Sequence, residues 1–352
     1  MSESRRSFLK KVGAGSALAT APTLLAAAEK DEEKEEEAEE AEKKGSGDDG
    51  GGLLPKGLTL CTLKRGGKWG IGVKTERGIL DVEAASDHFD IDGEPDSLDE
   101  LLQEGGGEAL EKVIEAAMDA KHPKPFFLTE EDVIFGPAVT NPEKILMVGL
   151  NYRKHAAELK MPLPTSPVLF NKFNNALLGH GRTLRLPTKV ATQFDHEVEL
   201  VIVIGKTARD VSEADALSYV AGYCTGNDFS ARDLQRRTTQ IMLGKIGDGF
   251  APLGPWLVTA DQVPDPNALD IWCDVNGERR QSSNTRDMVF NCAQLISYCS
   301  GLLTLKPGDL IYTGTPEGVI LGKPADQQVW LKAGDKVACG IEKLGELKFS
   351  LV

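Results

Sequence analysis

The sequence predicts an α+β protein in which a small N-terminal α+β domain precedes a larger, strand-rich one. Three observations carry that expectation. Short apolar runs bounded by glycine turns recur from Leu58 to the C-terminus, and helical periodicity is confined to a few segments. The chain has 352 residues, 41% apolar and 27% charged, a soluble globular composition whose length suits two domains. Its net charge of −14 is unevenly spread, which separates a leader from the folded part. With 40 basic against 54 acidic residues it lacks the net basic face that nucleic-acid binding needs. No strongly apolar stretch of about 18 residues lies in the body of the chain, so no interior membrane span is expected. The six cysteines form no C-x-x-C pair, which argues against a zinc or redox motif.

Residues 1–28 carry +3. Ser4-Arg5-Arg6-Ser7-Phe8-Leu9-Lys10 precedes a mildly apolar run, Val12 to Ala28, that closes on Ala26-Ala27-Ala28, a small-residue cleavage pattern. This resembles a twin-arginine (Tat) export signal. The resemblance implies the Tat translocase as a partner and a periplasmic location, with membrane anchoring if the signal is uncut. It also suggests a protein that folds, and loads any metal, before export. Residues 29–52 hold twelve acids and four lysines, a charge of −8. With almost nothing apolar to bury, they read as a solvated tether. The remaining residues carry −9.

Residues 53–135 read as the small domain. Leu58 to Val82 forms short strands with turns at Arg65-Gly66-Gly67 and Glu76-Arg77-Gly78, and Ser97 to Ala120 is helical with a break at Gly105-Gly106-Gly107. The chain crosses near Pro137–Pro142 into the main domain, 136–352. There Ile145–Leu150 suits a buried strand, Tyr152–Lys160 a short helix, Glu197–Ile204 a strand, and Asp210–Gly222 and Met288–Leu303 helices. Further strands are expected at Trp256–Thr259, Asp270–Val275, Leu310–Thr313, Lys336–Ile341 and Gly345–Phe349.

Several residues suggest chemistry. In Asp195-His196-Glu197-Val198-Glu199, strand alternation points Glu197 and Glu199 the same way, with Asp195 behind them. Adjacent carboxylates on an apolar strand repel, which a hard divalent cation would relieve; otherwise they line a solvated edge. Asp228, just past an apolar stretch, is either a third ligand or a turn residue. His155 and Glu158 share one face of a short helix at i, i+3, the arrangement of a carboxylate-oriented general base or of a surface pair. Lys245 lies in a loop with three glycines in six residues, Gly244 to Gly249, suggesting close backbone approach to something. Thr315, in Gly314-Thr315-Pro316-Glu317-Gly318, sits in a tight loop suited to an oxyanion or carboxylate. Cys224, Cys273, Cys292 and Cys299 have apolar surroundings, as buried free thiols do.

Taken in order, GLNYRKHAAE, DHEVELVIVIGK, YVAGYCTGNDFSARDLQ, GFAPLGPWLVT and PGDLIYTGTPEGV resemble the fumarylacetoacetate hydrolase family, over essentially all of residues 55–352. The resemblance implies a C-terminal mixed β-roll, or β-sandwich, after a small α+β domain, and a homodimer. It implies Glu197, Glu199 and Asp228 as ligands of Mg²⁺ or Mn²⁺ (or Ca²⁺), and His155 with Glu158 as a general-base dyad. It further implies Lys245, Arg232, Gln235 and Thr315 around a 2-oxo acid substrate. The expected reaction is hydrolysis of a C–C bond in an acylpyruvate or fumarylpyruvate through an enolate. Decarboxylation of an oxaloacetate-type acid, isomerisation of 2-hydroxyhepta-2,4-diene-1,7-dioate and sugar-acid dehydration are alternatives on the same site. A non-catalytic 2-oxo acid binder is the remaining one. Three departures from the family pattern are visible. His196 stands where tyrosine is commoner and should point away from Glu197. Phe173 follows Lys172 where proline is commoner and should alter the pocket lip. GKIGDGF makes the Lys245 loop unusually rich in glycine.

Overall fold

The computed structural model describes residues 54–121 and 125–352; the expected export signal and acidic tether lie outside the described residues. The chain opens with a meander, β1 (Thr59–Arg65), β2 (Lys68–Thr75) and β3 (Gly78–Asp81). Three helices follow: α1 (Val82–Phe89), α2 (Leu98–Gln103) and α3 (Gly107–Asp119). Asp81 and Ser97 cap the first two through their side chains, and the glycine run separates α2 from α3 as expected. Next come β4 (Phe127–Leu128), β5 (Ile145–Gly149), α4 (Arg153–Glu158), β6 (Val168–Lys172), β7 (Leu177–Leu178), β8 (Arg182–Leu184) and β9 (Phe194–Asp195). They are followed by β10 (Val198–Ile204), β11 (Val220–Asn227), β12 (Ser230–Ala231), α5 (Arg232–Gln235), β13 (Ala251–Pro252) and β14 (Leu257–Thr259). The chain ends with β15 (Asp270–Val275), β16 (Glu278–Asn284), α6 (Cys292–Leu302), β17 (Leu310–Tyr312), β18 (Lys336–Ile341) and β19 (Gly345–Leu351).

Two large sheets organise these strands. One has ten strands in the order β4-β3-β2-β1-β14-β11-β10-β17-β5-β6. The other has five, β16-β15-β18-β19-β8. The five-stranded sheet packs on β10 and β11 through β15, β18 and β19. The architecture is therefore α+β and rich in sheet, with few helices. The meander does not stand apart: β1 pairs antiparallel with β14 and lengthens the main sheet.

β10 and β11 lie at the centre, and every residue of both is buried. Their continuous apolar character, rather than strict alternation, reflects burial on both faces. Here one expectation is corrected. Asp210–Gly222 is not a helix: it contains a short 3₁₀ turn, Ala216–Tyr219, that leads into β11. Ser212 and Asp215 bond one another and the nearby backbone, competing with helix formation, and Val220 onward is claimed by its neighbours in the sheet. The strand β16 and helix α1, which sequence reading passes over, are polar or short. The six cysteines are buried free thiols, as expected for Cys224, Cys273, Cys292 and Cys299; Cys273 and Cys339 face each other across β15 and β18 with Sγ atoms 3.6 Å apart.

Candidate functional site

One end of the β10–β11 pair gathers the site. Glu199 lies on β10 opposite Gly226 of β11, and Glu197 immediately precedes β10. Asp228 follows β11, and its backbone N–H donates to the Glu197 carbonyl at 2.8 Å, fixing the two acids side by side. One carboxylate oxygen from each of Glu197, Glu199 and Asp228 lies within 4.8 Å of the others, and all three residues are buried.

The charges around them decide what this cluster can hold. Arg232, on α5, donates from Nε to Asp195 at 2.9 Å, from one terminal nitrogen to Glu197 at 2.6 Å and from the other to Gln235 at 2.9 Å. Lys245 donates at 2.7 Å to both Glu197 and Asp228. Lys172 forms a buried ion pair with the second Asp228 oxygen at 2.7 Å, at an angle outside hydrogen-bond geometry, and donates to the Phe229 and Phe250 carbonyls. Burial raises the Glu197 carboxyl, but Arg232 and Lys245 overturn that and hold it well below the usual carboxylate range. Glu199 differs. It accepts one backbone N–H, from Gly314 at 2.8 Å, and has no ion-pair partner among the described residues. Burial, then repulsion from Asp228 and Glu197, pushes its carboxyl well above the ordinary value. Four buried carboxylates thus face three cations, and the uncompensated charge falls on Glu199. An all-oxygen cluster with this deficit fits a hard divalent cation.

The dyad is assembled as well. His155 Nδ1 lies 3.2 Å from Glu158 Oε2 on α4, and the other Glu158 oxygen accepts the Gly318 N–H at 3.0 Å. His155, Glu197, Glu199, Asp228, Arg232, Gln235, Lys245 and Thr315 line one cavity of 280 Å³, with Glu158 behind His155. Gly314 has φ of +99°, and a Cβ there would sit 2.8 Å from that of Asn151, so this turn, which aims an N–H at Glu199 and sets up Thr315, needs glycine.

Other expectations are redrawn. Asp195 does not join Glu197 and Glu199: it lies on β9, where it takes Arg232 and the backbone N–H groups of His196, Ile320 and Leu321. The close approach in the Lys245 loop is to the protein itself, since a Cβ on Gly244 would meet the Ala231 carbonyl at 2.5 Å and Gln235 at 2.6 Å. Phe173 is 49% exposed and is not among the cavity-lining residues. His196 turns away from Glu197, with Nδ1 3.1 Å from the Gln281 side-chain oxygen. Sequence reading missed Gln281 and Lys172. Gln281 accepts the Val198 N–H at 3.0 Å, which fixes its amide orientation, and donates to Thr315 Oγ1 at 2.8 Å. Because Thr315 accepts there, its own hydrogen is left for another acceptor.

A model of the fumarylacetoacetate hydrolase C-terminal domain matches residues 144–352. The chain belongs to this family. Among curated relatives of the family member described here, a Burkholderia multivorans protein provisionally named a hydrolase is 47% identical over 73% of this chain and 91% of its own. A fumarylacetoacetate hydrolase structure from psychrophilic Exiguobacterium antarcticum is 30% identical, covers 84% of this chain and 99% of its own, and superposes with a TM-score of 0.68. A structure of 2-hydroxyhepta-2,4-diene-1,7-dioate isomerase from Mycobacterium marinum is 29% identical, covers 84% of this chain and 98% of its own, with a TM-score of 0.62. The family thus includes hydrolases and isomerases on one scaffold.

Proposed function

We propose that this protein is a divalent-metal-dependent hydrolase that cleaves a C–C bond in an acylpyruvate or fumarylpyruvate-type β-diketo acid. The observation that carries the reading is the meeting of a charge-deficient carboxylate triad and a carboxylate-oriented histidine in one cavity. Glu197, Glu199 and Asp228 would hold Mg²⁺ or Mn²⁺. Bound there, the cation supplies Lewis-acid polarisation to the 2-oxo acid head of the substrate.

The chain's own residues do the rest. Two of the three N–H donors of Lys245 serve Glu197 and Asp228, and the third would serve the substrate carboxylate, with the Thr315 hydroxyl as second donor. Arg232, tied to Asp195, Glu197 and Gln235, holds the floor of the cavity in register. Glu158 occupies His155 Nδ1, leaving Nε2 to take a proton from water as its oxygen attacks the distal carbonyl. The bond to C3 then breaks, its electron pair leaves with the pyruvate fragment, and C3 takes up a proton. The products are the acyl carboxylate and pyruvate.

The likeness to the Mycobacterium marinum isomerase supports a second reading, isomerisation on the same floor, which leaves the dyad no water to activate. A product-resolved assay with acylpyruvates, oxaloacetate, a hydroxydienedioate and sugar acids, with Mg²⁺ or Mn²⁺, separates the readings. Acylpyruvate cleavage is expected, lost in His155→Ala while metal binding persists. Full activity in the presence of a strong chelator would overturn the reading. The paired arginines Arg5 and Arg6 support Tat export to the periplasm, and family membership supports a homodimer. Cell fractionation of an Arg5→Lys, Arg6→Lys variant and light scattering test these.

A further inference from the structure

The cavity lining is of two chemical kinds. The ionisable lining residues, His155, Glu197, Glu199, Asp228, Arg232 and Lys245, all belong to the floor described above. Both cations there are committed: Arg232 to Asp195, Glu197 and Gln235, and Lys245 to Glu197 and Asp228 with one N–H to spare for a head carboxylate. Lys172, the third cation, has a fully buried side chain held by Asp228 and two carbonyls, and does not line the cavity. Gln235 and Thr315 add polar lining, and Phe170 sits beside the floor with its ring centroid 5.3 Å from Lys245 Nζ; the apolar wall includes Leu159, Met161, Val168, Ile241 and Leu321. Met161 and Val168 are 47% and 41% exposed, so this apolar wall runs outward to the mouth. At 280 Å³ the cavity sits at the small end for ligand sites, so a substrate anchored at the floor has its distal end against this wall.

Resting on the hydrolase reading above, we infer that the enzyme selects 2-oxo acids whose distal end is uncharged and apolar, and discriminates against those carrying a second carboxylate. A distal carboxylate would lose part of its hydration against leucine, methionine and valine side chains, and no uncommitted cation stands among the lining residues to offset it. An alkyl or aryl tail gains from the same wall, by about fourfold in affinity per fully buried methylene. This separates the chain from its Mycobacterium marinum neighbour, whose name specifies a dioate.

The test compares two acids of equal length. Titration calorimetry of the Mg²⁺-loaded full chain with 2-oxohexanoate and with 2-oxohexanedioate should show the monoacid binding at least about tenfold more tightly. The kcat/KM values for an aliphatic acylpyruvate and for fumarylpyruvate should follow the same order. Met161→Lys and Val168→Lys, both at exposed positions, should narrow the ratio by strengthening dioate binding. Equal or tighter binding of the dioate by the natural chain would overturn the inference while leaving the hydrolase reading in place, and so would a ratio unmoved by both lysine variants. Failure of both acids to bind, with no acylpyruvate cleaved, would instead bring down the reading of the site and the inference with it.

Discussion

Glu199 is 2% exposed, accepts a single hydrogen bond and is repelled by two neighbouring acids. A buried carboxylate in that position destabilises the metal-free protein. Glu199→Gln is therefore expected to raise the melting temperature of the metal-free protein while weakening metal affinity by more than the ~10–100-fold that changes to outer partners of a metal site bring. A lower melting temperature with unchanged metal affinity would show that Glu199 needs no cation. Thr315 offers a second test. Gln281 takes the Val198 N–H and gives its own N–H to Thr315, leaving the threonine hydrogen for substrate. Gln281→Glu would draw that hydrogen inward, so KM should rise roughly tenfold, the worth of one hydrogen bond, with kcat little changed. Thr315→Val should do the same, and the double variant should add nothing further. An unchanged KM in Gln281→Glu would remove Gln281 from this role. Spacing put Glu197 with Glu199 and His155 with Glu158 on shared faces but left their roles open; the resemblance to the family, not spacing, singled them out and added Asp228. Gln281 and Lys172 were not legible in the sequence, because they reach the site from β16 and β6 through tertiary contacts that no local pattern records.

β11 shows where local pattern fails. Its residues, Val-Ala-Gly-Tyr-Cys-Thr-Gly-Asn, include two glycines, an alanine and an asparagine that do not favour strands, and the sheet rather than propensity makes them one. Gly222 lies where a Cβ would collide with the Val258 carbonyl and approach Leu257 Cδ1 to 3.0 Å. Gly222→Ala should destabilise the fold by about 1–3 kcal/mol, read from the urea midpoint. Gly301, near the end of α6, has nothing within 4 Å of its Cβ position. Gly301→Ala should stabilise by about 0.5–1 kcal/mol through its helix preference and the narrowed unfolded chain. Equal effects of the two would mean that packing around β11 is looser than the geometry implies. By contrast, the β1–β2–β3 meander was readable because Gly66 and Gly78 adopt positive φ at turns that flanking alternation already marks.

The site draws on α4, β10, β11, α5 and the loop after β17, so it needs the central β11-β10-β17 part of the ten-stranded sheet in place. The order of the five motifs was visible along the chain, whereas the pairing of β1 with β14 across about 200 residues was not, since register at that separation follows from burial alone. Acid should weaken the fold through two histidines. Burial, the main cause, holds His180 and His196 below the ordinary imidazole range, and His180 Nδ1 accepts the Lys348 N–H at 3.2 Å. Through these two groups the unfolded chain binds more protons than the folded one as pH drops below 6.5, so their contribution to stability is expected to fall through that value toward the lower folded-state range, against an opposite contribution from the raised Glu199 carboxyl. His180→Gln should make the decline shallower, and an unchanged slope would remove His180 from the cause. Everything proposed about catalysis depends on a cation at the carboxylate triad. Titration calorimetry of Mn²⁺ into chelator-stripped protein should show one site per chain, lost in Glu199→Ala, with acylpyruvate cleavage restored in step with occupancy of the natural chain. No binding, or binding that survives Glu199→Ala undiminished, would refute it.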